Sequence, residues 1–137
     1  MSIKHLIVSL IAIVLLSCSD DYSAPASCDD CYFVEPTEHN ASFYFSLSDD
    51  NPTVEFAIYQ SDKPEGVPFY EGVADSSEVE IWLPLGYRYT AVANYCRDAR
   101  TVSVIDGGRL YVKFSRTLCE EACYMIYGKT FDLRLRF

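Results

Sequence analysis

Alternation of apolar and polar residues with a period of two predicts that most of the chain after residue 39 is β-strand. The clearest case is residues 131–137 (FDLRLRF), in which every odd position is apolar and every even position is charged. This pattern places one face of a strand in a core and the other in water. Comparable strand-forming runs lie at 42–47, 54–59, 67–71, 79–83, 87–95, 101–105 and 110–114.

Turn-forming residues separate these runs. The breaks rich in Asp, Asn, Pro and Gly are 49–52, 63–66 and 84–86. Asp106-Gly107-Gly108 lies between two apolar runs and predicts a β-hairpin turn at that point. The only helical candidate is Leu118–Ile126, one or two turns long. About seven or eight short strands without an amphipathic helix predict an all-β fold, a single antiparallel β-sandwich of immunoglobulin-like or prealbumin-like type.

A different pattern, a continuous apolar run, occupies the amino terminus. Leu6–Leu16 is apolar except for Ser9 and follows Lys4. A run of about eleven residues behind a positive charge is typical of a secretory signal. It is too short to cross a bilayer as a helix, which takes about 20 apolar residues. Residues 1–17 are therefore predicted to be a leader that is removed on export.

The residues that end this run resemble a known export signal. Leu15-Leu16-Ser17-Cys18 resembles a bacterial lipobox, in which the cysteine is acylated and becomes the first mature residue. Ser19-Asp20-Asp21 then resembles the acidic export signal of surface lipoproteins of the Bacteroidota. The resemblance implies a protein anchored by lipid in the outer membrane and exposed at the cell surface, with the periplasmic leaflet as the alternative. An ordinary leader with an incidental Cys18, followed by a solvated acidic linker, remains the other interpretation.

Removal of residues 1–17 from the 137-residue chain leaves 120, which suits one domain. Residues 18–38 are rich in Ser, Asp, Pro and Glu and are predicted to form a lipidated, flexible tether. Residues 39–137 then form the β-sandwich domain.

The central part of that domain carries a second resemblance. Three segments together resemble the prealbumin-like and carboxypeptidase-regulatory-like sandwiches, in which a strand ends in a Leu-Pro-x-Gly segment before the next strand begins. These segments are Val54–Tyr59, Glu78–Gly86 and Tyr87–Ala93. Domains of this kind are mostly non-catalytic modules of surface proteins. The resemblance therefore implies a scaffold or binding role.

The charge distribution excludes one class of partner. The net charge is −9, with fifteen acidic residues and one basic residue from Asp20 to Glu80. Nucleic-acid binding requires a basic surface, so nucleic acid is excluded as a partner. Nine basic and five acidic residues lie between Arg88 and Phe137. Because strands of the two halves interleave in a sheet, we expect cross-strand pairing rather than one acidic patch.

Cysteine usage predicts disulfides. If Cys18 is acylated, five cysteines remain: Cys28, Cys31, Cys96, Cys119 and Cys123. An exported protein meets an oxidising compartment, and an odd number leaves one free thiol or one intermolecular bridge. We expect one of Cys28 and Cys31 to bridge to the Cys119–Cys123 segment, with Cys96 as the other possible partner. The spacing also allows a redox pair at Cys28 and Cys31, or zinc bound by both pairs, but oxidation to disulfides is favoured, and neither a metal site nor a cofactor is predicted.

The mature chain offers little for catalysis. His39 is its only histidine, so acid–base or nucleophilic chemistry of the Ser-His or Cys-His type depends on that one residue. Asp49, Asp50 and Asn51 provide oxygens but not the spacing of a complete calcium site. The protein is therefore predicted not to be an enzyme.

Aromatic residues provide the better indication of binding. The chain has eleven Tyr, eight Phe and one Trp. Tyr44, Tyr59, Trp82 and Tyr111 occupy the strand phase opposite to the core positions. On one sheet they would form a flat platform for sugar rings or a partner protein; the alternative is packing at sheet margins. The sequence thus predicts a non-enzymatic binding or scaffold lipoprotein whose partners are envelope proteins or glycans, with a carbohydrate- or metal-binding accessory of nutrient uptake as the alternative.

Overall fold

The computed structural model describes residues 28–136, which form eight β-strands in two sheets and one short 3-10 helix, Cys28–Asp30. The strands are β1 Glu38–Tyr44, β2 Val54–Tyr59, β3 Tyr70–Ala74, β4 Glu78–Pro84, β5 Tyr87–Arg97, β6 Arg100–Ser115, β7 Cys123–Tyr127 and β8 Thr130–Asp132. The three-stranded sheet has the order β4-β1-β8 and the five-stranded sheet the order β3-β2-β5-β6-β7. The predicted all-β class and strand number are confirmed. The predicted leader, the predicted lipidation site Cys18 and the predicted export signal Ser19–Asp21 lie outside the described residues.

Both sheets contribute to one hydrophobic core. Phe43 of β1 stacks on Phe131 of β8, with ring centroids 4.8 Å apart, and approaches Phe56 of β2 at 6.3 Å. Phe131 and Leu133 are buried whereas Arg134 and Arg136 are exposed, so the alternation read from the carboxyl-terminal sequence is confirmed in the burial.

The pairing of β1 with β8 is parallel, whereas all the other strand pairs are antiparallel. The prediction of a wholly antiparallel arrangement is wrong at this pair. The chain leaves β7 in the five-stranded sheet and crosses to the free edge of β1, so β8 enters the other sheet without a hairpin and runs in the direction of β1.

A buried tyrosine fixes the corner at which the chain passes from β4 to β5 and so from one sheet to the other. Gly86 turns the chain with a φ of +91° and donates its N–H to the carbonyl of Leu110 at 2.8 Å. The Tyr89 hydroxyl donates to the carbonyl of Pro84 at 2.5 Å. Burial raises the pKa of Tyr89, which keeps this hydroxyl protonated as a donor. The arrangement has the logic of a tyrosine corner, in which one side chain holds the backbone between two sheets.

The predicted hairpin turn at Asp106-Gly107-Gly108 is wrong, because β6 continues through it. The turn between β5 and β6 is at Asp98 and Ala99, which have φ values of +52° and +60° and lie between the paired residues Arg97 and Arg100. Two residues with positive φ form the turn type that best fits the twist of a hairpin. Gly107 serves packing instead, since a Cβ there would lie 3.3 Å from the backbone oxygen of the neighbouring Tyr89.

The helix considered for Leu118–Ile126 is also wrong. Residues 116–122 form a loop, and β7 begins at Cys123 and pairs with β6. Within residues 28–136, no helix has the length and apolar character needed to cross a bilayer.

Candidate functional site: a groove beside strand β6

The first part of β6 is paired on one edge only. Arg100–Leu110 pairs with β5, and β7 joins the opposite edge only at Tyr111–Ser115. Among the described residues, no strand occupies that opposite edge from Arg100 to Arg109. An edge of this kind presents backbone N–H and C=O groups that are available to an additional strand.

The carboxyl-terminal segment, residues 132–136, lies beside this edge and forms an open groove with it. The groove has a volume of about 560 Å³ and is lined by residues 102–106, Asp132 and residues 134–136. Val104 and Leu135 pack partly against the hydrophobic core and provide apolar surface in the groove. The backbone N–H of Asp132 donates to Oδ2 of Asp106 at 2.8 Å and joins the two walls at one end. We refer to this site as the β6 groove.

Two arginines order the polar wall of the β6 groove. Arg134 donates to the Asp132 carboxylate from Nε at 2.8 Å and from a terminal nitrogen at 2.9 Å, and Arg136 donates at 2.5 Å. The hydrogen bonds from Arg134 hold the pKa of Asp132 well below its usual range, so the carboxylate stays ionised. Because both arginines are largely exposed, these pairs orient side chains more than they stabilise the fold.

Tyr95 fixes the inner end of the same wall. Its buried hydroxyl donates to the carbonyl of Leu133 at 2.5 Å and accepts the Ser46 N–H at 3.1 Å. The Leu135 N–H donates to the Ser46 hydroxyl at 3.0 Å. The segment is therefore held by contacts from β5 and from the chain after β1, which makes the groove a preformed feature.

The predicted aromatic platform is divided between the two sheets. Tyr44 and Trp82 lie on the three-stranded sheet, and Tyr59 and Tyr111 lie on the five-stranded sheet. Arg134 lies over the Tyr44 ring at 5.9 Å, and Tyr111 stacks on Tyr127 at 5.2 Å. The four residues consequently do not form one surface. Trp82 is the one with a largely free side chain, 59% exposed.

The structure joins both cysteines of the first pair to the second pair. Cys28 bonds to Cys119 and Cys31 bonds to Cys123, whereas Cys96 is an exposed free thiol. Disulfide formation is confirmed, and two bridges rather than one join these segments. Residues 28–32, assigned to the tether from sequence, are thereby held against β7.

His39 has a structural role. Its Nδ1 lies 2.8 Å from the carbonyl of Asn40, which can only accept, so Nδ1 carries the proton. In the neutral imidazole, Nε2 then accepts from the Tyr32 hydroxyl at 2.9 Å. The two ring nitrogens thus bind the Asn40 carbonyl within β1 and the Tyr32 side chain before it.

Asn51, considered as a calcium ligand, is committed to the backbone. Its amide nitrogen donates to the Cys96 carbonyl at 2.9 Å, and its side-chain oxygen accepts the Cys96 N–H at 2.7 Å. Asp49 and Asp50 are exposed. Asn51 thus continues the hydrogen bonding along the β2 side of β5 beyond the last β2–β5 pair, Glu55–Asn94.

The sequence gives no local indication of the β6 groove. Residues 102–106 and 132–136 are about thirty positions apart, and their side chains resemble those of any strand that borders a core. The free edge arises because β6 is much longer than its neighbour β7. The sequence does not show this difference in length, because Gly107-Gly108 resembles a turn that would divide β6 into two short strands.

No protein family, curated protein or solved structure matches the chain.

Proposed function

We propose that the protein is a non-enzymatic, lipid-anchored module of the outer membrane, and that it binds an extended peptide segment of an envelope protein in the β6 groove. We further propose that its two sheets form a β-sandwich of immunoglobulin-like or prealbumin-like type. One observation carries the binding proposal: a strand edge with a single partner faces an open groove that has both apolar and charged lining residues and lies between two fixed walls.

The chemistry of a free strand edge favours a peptide as the occupant. A peptide added as a strand gains main-chain hydrogen bonds for affinity and pockets for alternate side chains for specificity. The groove-lining stretch of five residues, 102–106, spans about 17 Å in extended conformation. Val104 and Leu135 would contact the apolar side chains of the peptide, and Arg134 and Arg136 would lie beside its exposed ones.

The proposed anchor is supported by the lipobox resemblance at Cys18. The two disulfides among residues 28–123 are consistent with it, since disulfides persist in oxidising compartments outside the cytoplasm. Metabolic labelling with radioactive palmitate tests the anchor. We expect label in the wild-type protein and none in Cys18→Ala; an unlabelled wild-type protein that is released into the medium would refute it.

Peptide selection tests the groove. A displayed library of random twelve-residue peptides is selected on the mature protein, and the selected peptides are then assayed on two variants. Val102→Arg places a long charged side chain in the groove, whereas Val73→Arg changes a residue that is 60% exposed at the far edge of the same sheet.

We expect the selected peptides to bind the Val73→Arg variant like wild type and to lose at least tenfold in affinity for the Val102→Arg variant, equivalent to about 1.4 kcal/mol. Bound peptide is also expected to slow amide hydrogen exchange within residues 102–106. Binding that is insensitive to Val102→Arg would place the peptide elsewhere and refute the proposal.

A carbohydrate-binding role is the second candidate, because Trp82 is largely exposed and lies opposite Asn40 across the β1–β4 pair. An aromatic face beside an amide is suited to stacking on a sugar ring. Glycan-array binding that is lost in Trp82→Ala but retained in Tyr111→Ala would favour this function over peptide binding.

A further inference from the structure

Three of the four bridged cysteines place their sulfurs in one cluster, and the fourth is bonded to it. The Sγ atoms of Cys31, Cys119 and Cys123 all lie within 4.8 Å of one another, and Cys28 is bonded to Cys119. We infer that these four residues form a zinc site when the two disulfides are reduced. In that state Cys28, Cys31, Cys119 and Cys123 would bind one Zn²⁺ as thiolates. The inference is independent of the lipid anchor and of the β6 groove.

The backbone geometry fits a tetrahedral four-cysteine site. Zinc binds cysteine sulfur at about 2.3 Å, which places the four sulfurs about 3.8 Å apart. The Cys119 sulfur is already within 4.8 Å of both sulfurs of the other bridge, and the Cα atoms of the bonded pairs are 5.7 and 5.4 Å apart. Side-chain rotation is then the main change needed once the bonds are broken. The spacings Cys-x-x-Cys and Cys-x-x-x-Cys are within the range of structural zinc sites.

Contacts other than the disulfides keep the two segments together. Tyr32 and Tyr124 exchange two backbone hydrogen bonds, of 3.0 and 2.7 Å. Lys129 forms an ion pair with Asp30. This ion pair holds Asp30, the residue before Cys31, and so keeps that end of the first segment in place.

The burial of one ligand, Cys123, also suits a structural zinc ion, whereas Cys28 is exposed and Cys31 and Cys119 are partly buried. Cys123 is 1% exposed, and the thioether of Met125 lies 3.9 Å from the Cys119 sulfur. The sulfurs therefore lie partly in an apolar environment, where a closed site without a water ligand is expected.

The disulfide form converts to the zinc form by reduction followed by metal binding. Reduction of the two disulfides takes four electrons and four protons from two equivalents of a dithiol reductant, each of which becomes a disulfide. Zinc then displaces the four thiol protons and is itself neither oxidised nor reduced. Either form joins the segment at residues 28–31 to the segment at residues 119–123.

Cobalt substitution tests the site in the mature protein. The protein is reduced with a phosphine under anaerobic conditions and titrated with Co²⁺. We expect one equivalent to bind with the intense visible absorption of tetrahedral cobalt thiolate and to be displaced by Zn²⁺. Zinc is also expected to raise the Tm of the reduced protein.

The two variants for the test are Cys119→Ser and Cys96→Ser. Loss of the residues that hydrogen-bond to zinc ligands lowers metal affinity by about 10- to 100-fold, even though the ligands themselves remain. Removal of a ligand, Cys119, is therefore expected to lower the affinity by about 100-fold or more. Cys96→Ser should leave affinity and spectrum unchanged. Equal losses in both variants, or a reduced wild-type protein without a thiolate spectrum and without a Tm increase, would overturn the inference.

If the reduced protein unfolds, near-UV circular dichroism still tests the zinc site. Zinc added to the reduced, unfolded protein is then expected to restore the near-UV spectrum of the folded wild-type protein, and failure to restore it would also overturn the proposal.

Discussion

Replacing Gly128 by alanine tests how closely the connection between β7 and β8 is packed against β6. Gly128 has a φ of +72°, and a Cβ added there would lie 1.9 Å from the carbonyl oxygen of Arg109. An ordinary contact begins at 3.4 Å, so the turn must move by about 1.5 Å. The obstructing atom belongs to the backbone of a paired strand and cannot rotate away.

The expected cost follows from two contributions. An L-residue with positive φ costs about 1–2 kcal/mol. Movement of the turn also breaks the hydrogen bond from the Ser42 N–H to the Lys129 carbonyl, now 2.8 Å, and disturbs the adjacent end of the β6–β7 pair. Each lost backbone hydrogen bond contributes about 1 kcal/mol, or more where a group stays buried. We expect Gly128→Ala to lower the free energy of unfolding by about 3–5 kcal/mol.

Gly66 provides the matched control. It also has a positive φ, +82°, but a Cβ there meets nothing within 4 Å. Gly66→Ala should therefore cost only the conformational contribution, about 1–2 kcal/mol. Urea unfolding of both variants, with disulfides intact and followed by circular dichroism, measures the difference. Equal losses in the two variants would refute the steric argument at Gly128.

Three further predictions concern stability in urea. Tyr89→Phe should lower the free energy of unfolding by about 1–2 kcal/mol, because the buried carbonyl at the β4–β5 corner loses its hydrogen-bond donor. The control Tyr87→Phe changes a residue that is 51% exposed and should alter the free energy of unfolding by less than about 0.5 kcal/mol. Equal effects of the two variants would contradict the hydrogen bond assigned to Tyr89. Replacing Cys31 and Cys123 by serine should lower the free energy of unfolding by only about 2.5 kcal/mol, because the remaining disulfide closes nearly the same loop. Removing both disulfides should lower it by about 7 kcal/mol. If removal of one disulfide cost half as much as removal of both, the two bridges would act independently and this prediction would be wrong. The pKa of Asp132 is lower in the folded protein than in the unfolded chain. The ionised Asp132 carboxylate therefore contributes its full stabilisation above about pH 4, the ordinary pKa of an aspartate, and this contribution is lost as the pH falls further towards the folded-state pKa. Asp132→Asn should therefore destabilise the protein at pH 7 and progressively less towards pH 2, and a difference that does not change with pH would contradict the role of the ionised carboxylate.

Local patterns predicted the strands well because alternation of side chains is a property of each strand by itself. The carboxyl-terminal residues 131–136 illustrate this, since their burial follows the sequence pattern even where the regular pairing of β8 has ended at Asp132. The direction of that strand depends on where the chain arrives, so its parallel pairing with β1 could not be read from the same residues.

The misplaced hairpin has a specific physical cause. Gly107 and Gly108 are the residues that two-residue turns favour, yet here they lie inside β6, opposite Thr90 and Tyr89. The true turn uses Asp98 and Ala99, and alanine is a poor candidate for positive φ. A glycine required for close packing and a glycine required for a turn have the same sequence signature.

The β6 groove is the feature that sequence reasoning missed, because it depends on which edge remains unpaired after all strands have been placed. The disulfides were partly predictable: one bridge between residues 28–31 and 119–123 was expected, with Cys96 as the other possible partner, whereas the second bridge and the exact pairs required the geometry of β7.

The two disulfides also determine how the domain bears mechanical load. A pull on the chain before Cys28 is transmitted through covalent bonds to Cys119 and Cys123, and hence into β7 and β6, before it reaches β1. β1 is the middle strand of its sheet, so it is protected from being peeled away from that end. Resistance to a pull at the amino-terminal end of the described residues is therefore expected to fall when both bridges are cut, because only noncovalent contacts such as the Tyr32–Tyr124 hydrogen bonds then join the two segments.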